Sequence, residues 1–71
     1  MKDPYENEMN ELCQSVSDSG YVQLDGVISA IMWYFMSEYF SGNIAFDEIF
    51  LYQEKYTNKL LQMAYEAGKL E

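Results

Sequence analysis

The chain has no histidine, no arginine, one cysteine and one proline among its 71 residues. Each absence removes a class of function. Without histidine, the commonest zinc ligand and the commonest acid–base catalyst near neutral pH are both missing. Without arginine, and with four lysines against twelve carboxylates (net −8), direct nucleic-acid binding is disfavoured, because phosphate recognition leans on basic side chains. Cys13 stands alone, so no internal disulfide can form, and a free thiol fits a reducing cytoplasm. The four glycines are isolated and build no phosphate-cradling loop. In "SDSGYVQLDG" two aspartates lie seven apart, but the alternating acids and closing glutamate of a calcium loop are missing. The opening "MKDPYENE" lacks the apolar core of a signal sequence. The longest apolar stretch, residues 27–40, is shorter than the roughly 20 residues that span a bilayer. The expectation is therefore a cytoplasmic protein with no membrane contact, no metal, no cofactor and no enzymatic activity.

What remains is small and greasy. A chain of this length forms one domain, expected to span 1–71, and buries only about 60 per cent of its unfolded surface. Such scaffolds usually need a staple, and with no disulfide and no histidine a partner surface is the one left. Yet 49% of the residues are hydrophobic and 17% aromatic, too apolar for a disordered tail. The charge is uneven. Residues 1–54 hold ten acids and one lysine, and residues 55–71 hold three lysines and two acids.

The apolar spacing predicts an all-α bundle of three helices, short, long and long. In helix A, Asp3 is the expected N-cap, Pro4 the first helical residue and Glu6 the return arm of a capping box. Tyr5, Met9, Leu12, Cys13 and Val16 then share an arc of roughly 100°. Gly20 can take the positive φ that ends it. "YVQLDG" reads as a loop, with Asp25 capping helix B over residues 26–41. A staple of Phe46 and Leu51 around an Asp47 cap opens helix C, over residues 47–68. Its stripe runs through Ile49, Tyr52, Tyr56, Leu60, Met63 and Ala67, widened by Phe50, Leu61 and Ala64. Lys55, Lys59, Gln62 and Glu66 form its solvated side.

Helix B holds "VISAIMWYFMSEYF", apolar on nearly every side, and such a helix should be buried on nearly every side. One side carries Ile28, Met32, Phe35, Met36, Tyr39 and Phe40. A second carries Gly26, Ser29, Ala30, Ser37 and Ser41 with Trp33, small residues that let helices approach closely. The third carries Val27, Ile31 and Tyr34 around Glu38. With helices A and C clasping it, two sides are covered. The third is expected to be an oligomer interface of Val27, Ile31, Tyr34 and Glu38, most simply in a twofold homodimer.

Twelve aromatics (seven Tyr, four Phe and one Trp) exceed what a core this small can hold, and Tyr and Trp anchor interfaces. Glu6, Glu8, Glu11, Asp18 and Asp25 form the candidate partner-binding acidic face, a track of carboxylates suited to a basic groove on another protein. Cys13, inside the apolar arc, reads as a small core residue. In size and charge the chain resembles phage-type inhibitors of host defence or of DNA-binding proteins. That resemblance implies a DNA-mimic-like inhibitor or regulator, a viral protein, docking on a basic, nucleic-acid-handling protein. Two other classes fit: an assembly subunit whose helix B packs in a homo- or hetero-oligomer, and a helix-turn-helix regulator that presents Lys55 and Lys59.

Overall fold

The computed structural model describes residues 3–69, which form three α-helices and no strand: α1 Glu6–Asp18, α2 Leu24–Phe40 and α3 Phe46–Glu66. Together they make a three-helix all-α bundle measuring 37 × 24 × 18 Å. No described helix is long and apolar enough to cross a membrane.

All three helices stop in the same way. The residue after each C-cap is a glycine at positive φ: Gly20 at 76°, Gly42 at 80° and Gly68 at 77°. Its N–H and that of the following residue turn back onto the last carbonyls. At α1, Gly20 N donates to Ser17 O at 3.0 Å and Tyr21 N to Val16 O at 3.0 Å. Asn43 and Lys69 repeat the pattern on Glu38 O and Ala64 O. This is the Schellman motif, which satisfies carbonyls the helix leaves free.

The helix starts differ from the capping expected of them. Asp3 is not the N-cap of α1; Tyr5 is. Asp3 Oδ1 accepts from Tyr5 N at 2.8 Å, one turn before the helix, and the Glu6 side chain makes no return bond. The Asp3 carboxylate is drawn away by α3, where Lys55 Nζ donates to Oδ2 at 2.8 Å and the Tyr56 hydroxyl donates to the same oxygen. Asp25 lies inside the first turn of α2, whose N-cap is Gln23. It favours the positive end of the helix dipole without capping it. Helix α3 begins before Asp47, with Ala45 as N-cap, and Glu48 Oε1 accepts from Ala45 N at 2.9 Å, the return half of a capping box. The staple therefore shifts as well. Ile44 and Ile49 occupy its positions and pack in the core, while Leu51 is exposed.

The buried residues are Tyr5, Met9, Cys13, Val16, Ile31, Phe35, Ile49, Tyr56, Leu60 and Ala64. The arc of α1 is thus the inward one, and Cys13 is a core residue whose thiol burial pushes upward in pKa. At the centre lies Phe35. Tyr52 and Tyr56 stack on it, with ring centroids 5.1 and 5.9 Å away, and Tyr5 and Tyr34 meet it edge-on. Such offset-stacked and edge-to-face pairs are the favoured arrangements of aromatic rings.

Helix α3, not α2, is the element that packs against both others, and α1 and α2 meet less closely. This arrangement decides which side of α2 is covered. Ile31 and Phe35 point to the core with no exposed surface. Val27 and Tyr34 pack against that core. The expected oligomer interface of Val27, Ile31, Tyr34 and Glu38 is therefore placed on the wrong side of the helix: it is the side facing the rest of the chain.

Candidate protein-binding groove

The uncovered side of α2 is the one with small residues. Gly26, Ser29, Ala30, Ser37 and Ser41 are all exposed, so they do not mediate close approach of a helix within the chain. Trp33 stands among them, 69% exposed, and Phe40 ends the stripe at 72%. On α3, Phe46 and Phe50 flank the buried stripe and stay open; Phe50, expected in the core, is 55% exposed. Between the two helices runs a groove of about 410 Å³ lined by Ser29, Met32, Trp33, Met36, Phe50 and Gln53. Gln53 Nε2 donates to Met32 O at 3.0 Å and ties the helices together. Aromatic contacts continue the apolar surface past the groove, from Phe40 to Tyr39, Phe46 and Phe50, with ring centroids 5.5–5.6 Å apart.

No charged side chain lines this groove. Glu54 stands at its α3 side, sharing a neighbouring hollow with Met32 and Phe50. The α3 lysines point elsewhere, Lys55 to Asp3 and Lys59 to the Asn10 side chain. That placement removes them from the role expected of a helix-turn-helix recognition surface.

The five candidate acids do not form one face. Glu6 and Glu8 flank the buried stripe of α1 on opposite sides, as a spacing of two residues requires in a helix. Glu6 lies on the α3 side, where its charge reaches Lys55 and Tyr56. Glu8 and Glu11 share the cleft between α1 and α2 with Ala30 and Tyr34. Asp18 is exposed and accepts from Gln14 Nε2 at 2.9 Å. Asp25 sits at the far end of α2, beside Lys69.

Several carboxylates are engaged in holding helices together, a use that spacing alone does not reveal. The Tyr34 hydroxyl donates to Glu8 Oε2 and the Tyr5 hydroxyl to Glu38 Oε1 at 2.9 Å, both linking α1 with α2. The Tyr56 hydroxyl donates to Asp3 and links α3 with the chain ahead of α1. Burial first and the neighbouring carboxylates second push these phenols up: Tyr5 to about 12, Tyr34 and Tyr56 well above the usual phenol range. Burial alone would raise Asp3. The hydrogen bonds from Lys55, Tyr56 and Tyr5 N–H together outweigh it and hold the carboxyl below its usual range.

The groove residues Met32, Met36, Phe50 and Gln53 were not distinguishable as a site from spacing. One signal pointed to their side of α2: the serines and glycine clustered about Trp33, which mark a solvent-facing stripe on an otherwise apolar helix. Among the described residues no cluster of acids or cysteine is arranged to hold a metal ion. Compared with family models, curated proteins and solved structures, the chain finds no match in any of the three.

Proposed function

We propose that this protein is a non-catalytic protein-binding module that blocks or regulates a basic partner, and that it docks through the α2–α3 groove. The observation that carries the reading is the exposure of Met32, Trp33, Phe40, Phe46 and Phe50 side by side. Together the four aromatics leave on the order of 500 Å² of apolar surface open, near the upper end of what monomeric proteins tolerate and of the size that marks interaction sites. Trp and Phe are also the residues that anchor interfaces.

A second reading is supported by the unpaired acids. Among the described residues the one ion pair is Asp3–Lys55, so Glu6, Glu8, Glu11, Asp18 and Asp25 make no contact ion pair with a described lysine. On this reading the α1 side, with Glu8, Glu11 and Asp18, meets a basic, nucleic-acid-handling protein as a DNA-mimicking inhibitor would. The assembly-subunit alternative uses the groove instead, with another copy or another subunit covering it.

Affinity capture separates these readings. The immobilised protein is exposed to nuclease-treated lysate of its native cells at low and high salt. Beside it run Trp33→Ser/Phe50→Ser and Glu8→Gln/Glu11→Gln/Asp18→Asn variants. Groove docking expects a partner that survives salt and is lost with the first variant. Loss with the second variant and with salt favours the acidic side. No captured partner, together with a monodisperse monomer, overturns both.

A further inference from the structure

We propose that the α2–α3 groove is a receptor for a basic amphipathic helix, a proposal that rests on the groove being the docking surface. The shape fits a helix. Two packed helices leave a trough whose apolar lining runs from Met32 and Trp33 through Met36 and on to Phe40 and Phe46, roughly two helical turns in length. An amphipathic helix laid in such a trough fills it with side chains at i, i+3 or i+4 and i+7. Met32 and Met36 suit that use, because methionine adapts to the side chains it meets.

The charge of the rim selects the sign of the occupant. Asp47 and Glu54 lie one heptad apart on the solvent side of α3, with Phe50 between them, and both are exposed. Asp25 precedes Ser29 by one turn at the head of the α2 stripe. Lys55 and Lys59 are turned toward α1, and Lys69 lies beside Asp25, so that end of the stripe carries one charge of each sign and the acidic edge is that of α3. The trough is therefore neutral inside with carboxylates along its α3 edge, the complement of a helix whose apolar stripe is bordered by lysines or arginines.

A second copy of this chain fits less well. It would bring the same carboxylates to the same rim, on a body of net −8. An anionic membrane surface is disfavoured by the same charge.

Trp33, the one tryptophan, supplies the readout. The intact protein is titrated with tryptophan-free synthetic peptides of about 18 residues, roughly 27 Å of helix. One is a leucine/lysine amphipathic helix, one the same composition scrambled, one a leucine/glutamate helix and one a leucine/glutamine helix. The expected result is a saturable blue shift of Trp33 emission with the leucine/lysine helix, and weak or no response to the other three. Met32→Ser/Phe50→Ser should weaken that binding about tenfold or more. Asp47→Asn/Glu54→Gln should weaken it roughly twofold to fivefold at low salt, and Glu66→Gln, an exposed acid away from the groove, should leave it unchanged. All substituted side chains are exposed except that of Met32, which is half-exposed, and circular dichroism verifies the fold of each variant.

Equal binding of the scrambled peptide overturns the proposal in favour of diffuse charge attraction. Equal binding of the leucine/glutamine helix leaves the groove as a docking surface and removes its preference for a basic occupant. A concentration-dependent dimer that shields Trp33 names a second copy as the occupant. Absence of any Trp33 response overturns the helix receptor, and if cellular capture is still lost with Trp33→Ser/Phe50→Ser, the docking surface itself stands.

Discussion

Replacing Asp3 by alanine should destabilise this protein more than any other change to an acid. The carboxylate accepts three hydrogen bonds at once, from Tyr5 N–H, Lys55 and the Tyr56 hydroxyl. Tyr56 is 1% exposed, so removing its acceptor leaves a buried hydroxyl unpaired, at about 1–3 kcal/mol. Losing the bond that sets up the start of α1 costs about 1 kcal/mol more, by analogy with N-caps. The Lys55 pair is exposed on the lysine side and screened by solvent, so it adds nothing to the sum. The expected loss is about 2–4 kcal/mol, against a total stability of roughly 4–10 kcal/mol for a chain of this length. Urea unfolding followed by far-ultraviolet circular dichroism measures it. Tyr56→Phe removes the orphaned hydroxyl, so the double variant should lose less than the sum of the two single ones, with a coupling of about 1–3 kcal/mol. A loss below about 0.5 kcal/mol for Asp3→Ala, or strict additivity in the cycle, would refute the idea that Asp3 ties α3 to the start of α1.

Acid and alkali should each weaken the fold through named groups. The folded pKa of Asp3 is depressed, so the unfolded chain takes up its proton first. The stability this group contributes is complete above the ordinary carboxylate range near pH 4 and is lost as pH falls through the lowered value; the stability gap between the protein and Asp3→Asn should narrow over that interval. Tyr5 is raised to about 12, so its contribution is complete below about pH 10, the unfolded tyrosine value, and disappears as pH rises toward 12. Tyrosinate absorbance should accordingly appear together with loss of helix, and Tyr5→Phe should resist alkali better. Ile31→Ala and Trp33→Ala, two residues apart, should behave oppositely: about 2–5 kcal/mol lost for the buried isoleucine and about 0.5 kcal/mol or less for the exposed tryptophan, by the same urea assay. Gly42→Ala meets no neighbouring atom, so its cost should be the backbone term alone, about 1–2 kcal/mol for a residue at positive φ, read as a drop in thermal midpoint.

The number of helices, their order and their ends were written locally. Apolar residues at steps of three and four define the α1 arc and most of the α3 stripe, and a glycine at the end of each helix supplies the left-handed residue its final turn needs. These features depend only on neighbours along the chain, so spacing finds them. The starts were less legible, because a side chain that could cap can be claimed by another helix. Asp3 is taken by Tyr56 and Lys55, more than fifty residues away.

The sequence by itself determined that α2 is too apolar to be covered on every side by two helices of one small chain. Which side stays open was decided only by the tertiary structure. On a helix with hydrophobic residues all round, periodicity carries no direction, and direction comes from the packing of the other elements. With α3 rather than α2 packed against both neighbours, Ile31 and Phe35 turn inward to meet Tyr52 and Tyr56. The stripe of Trp33 and Phe40 is left in water, opening with Phe50 onto an apolar groove that has Glu54 at its α3 side.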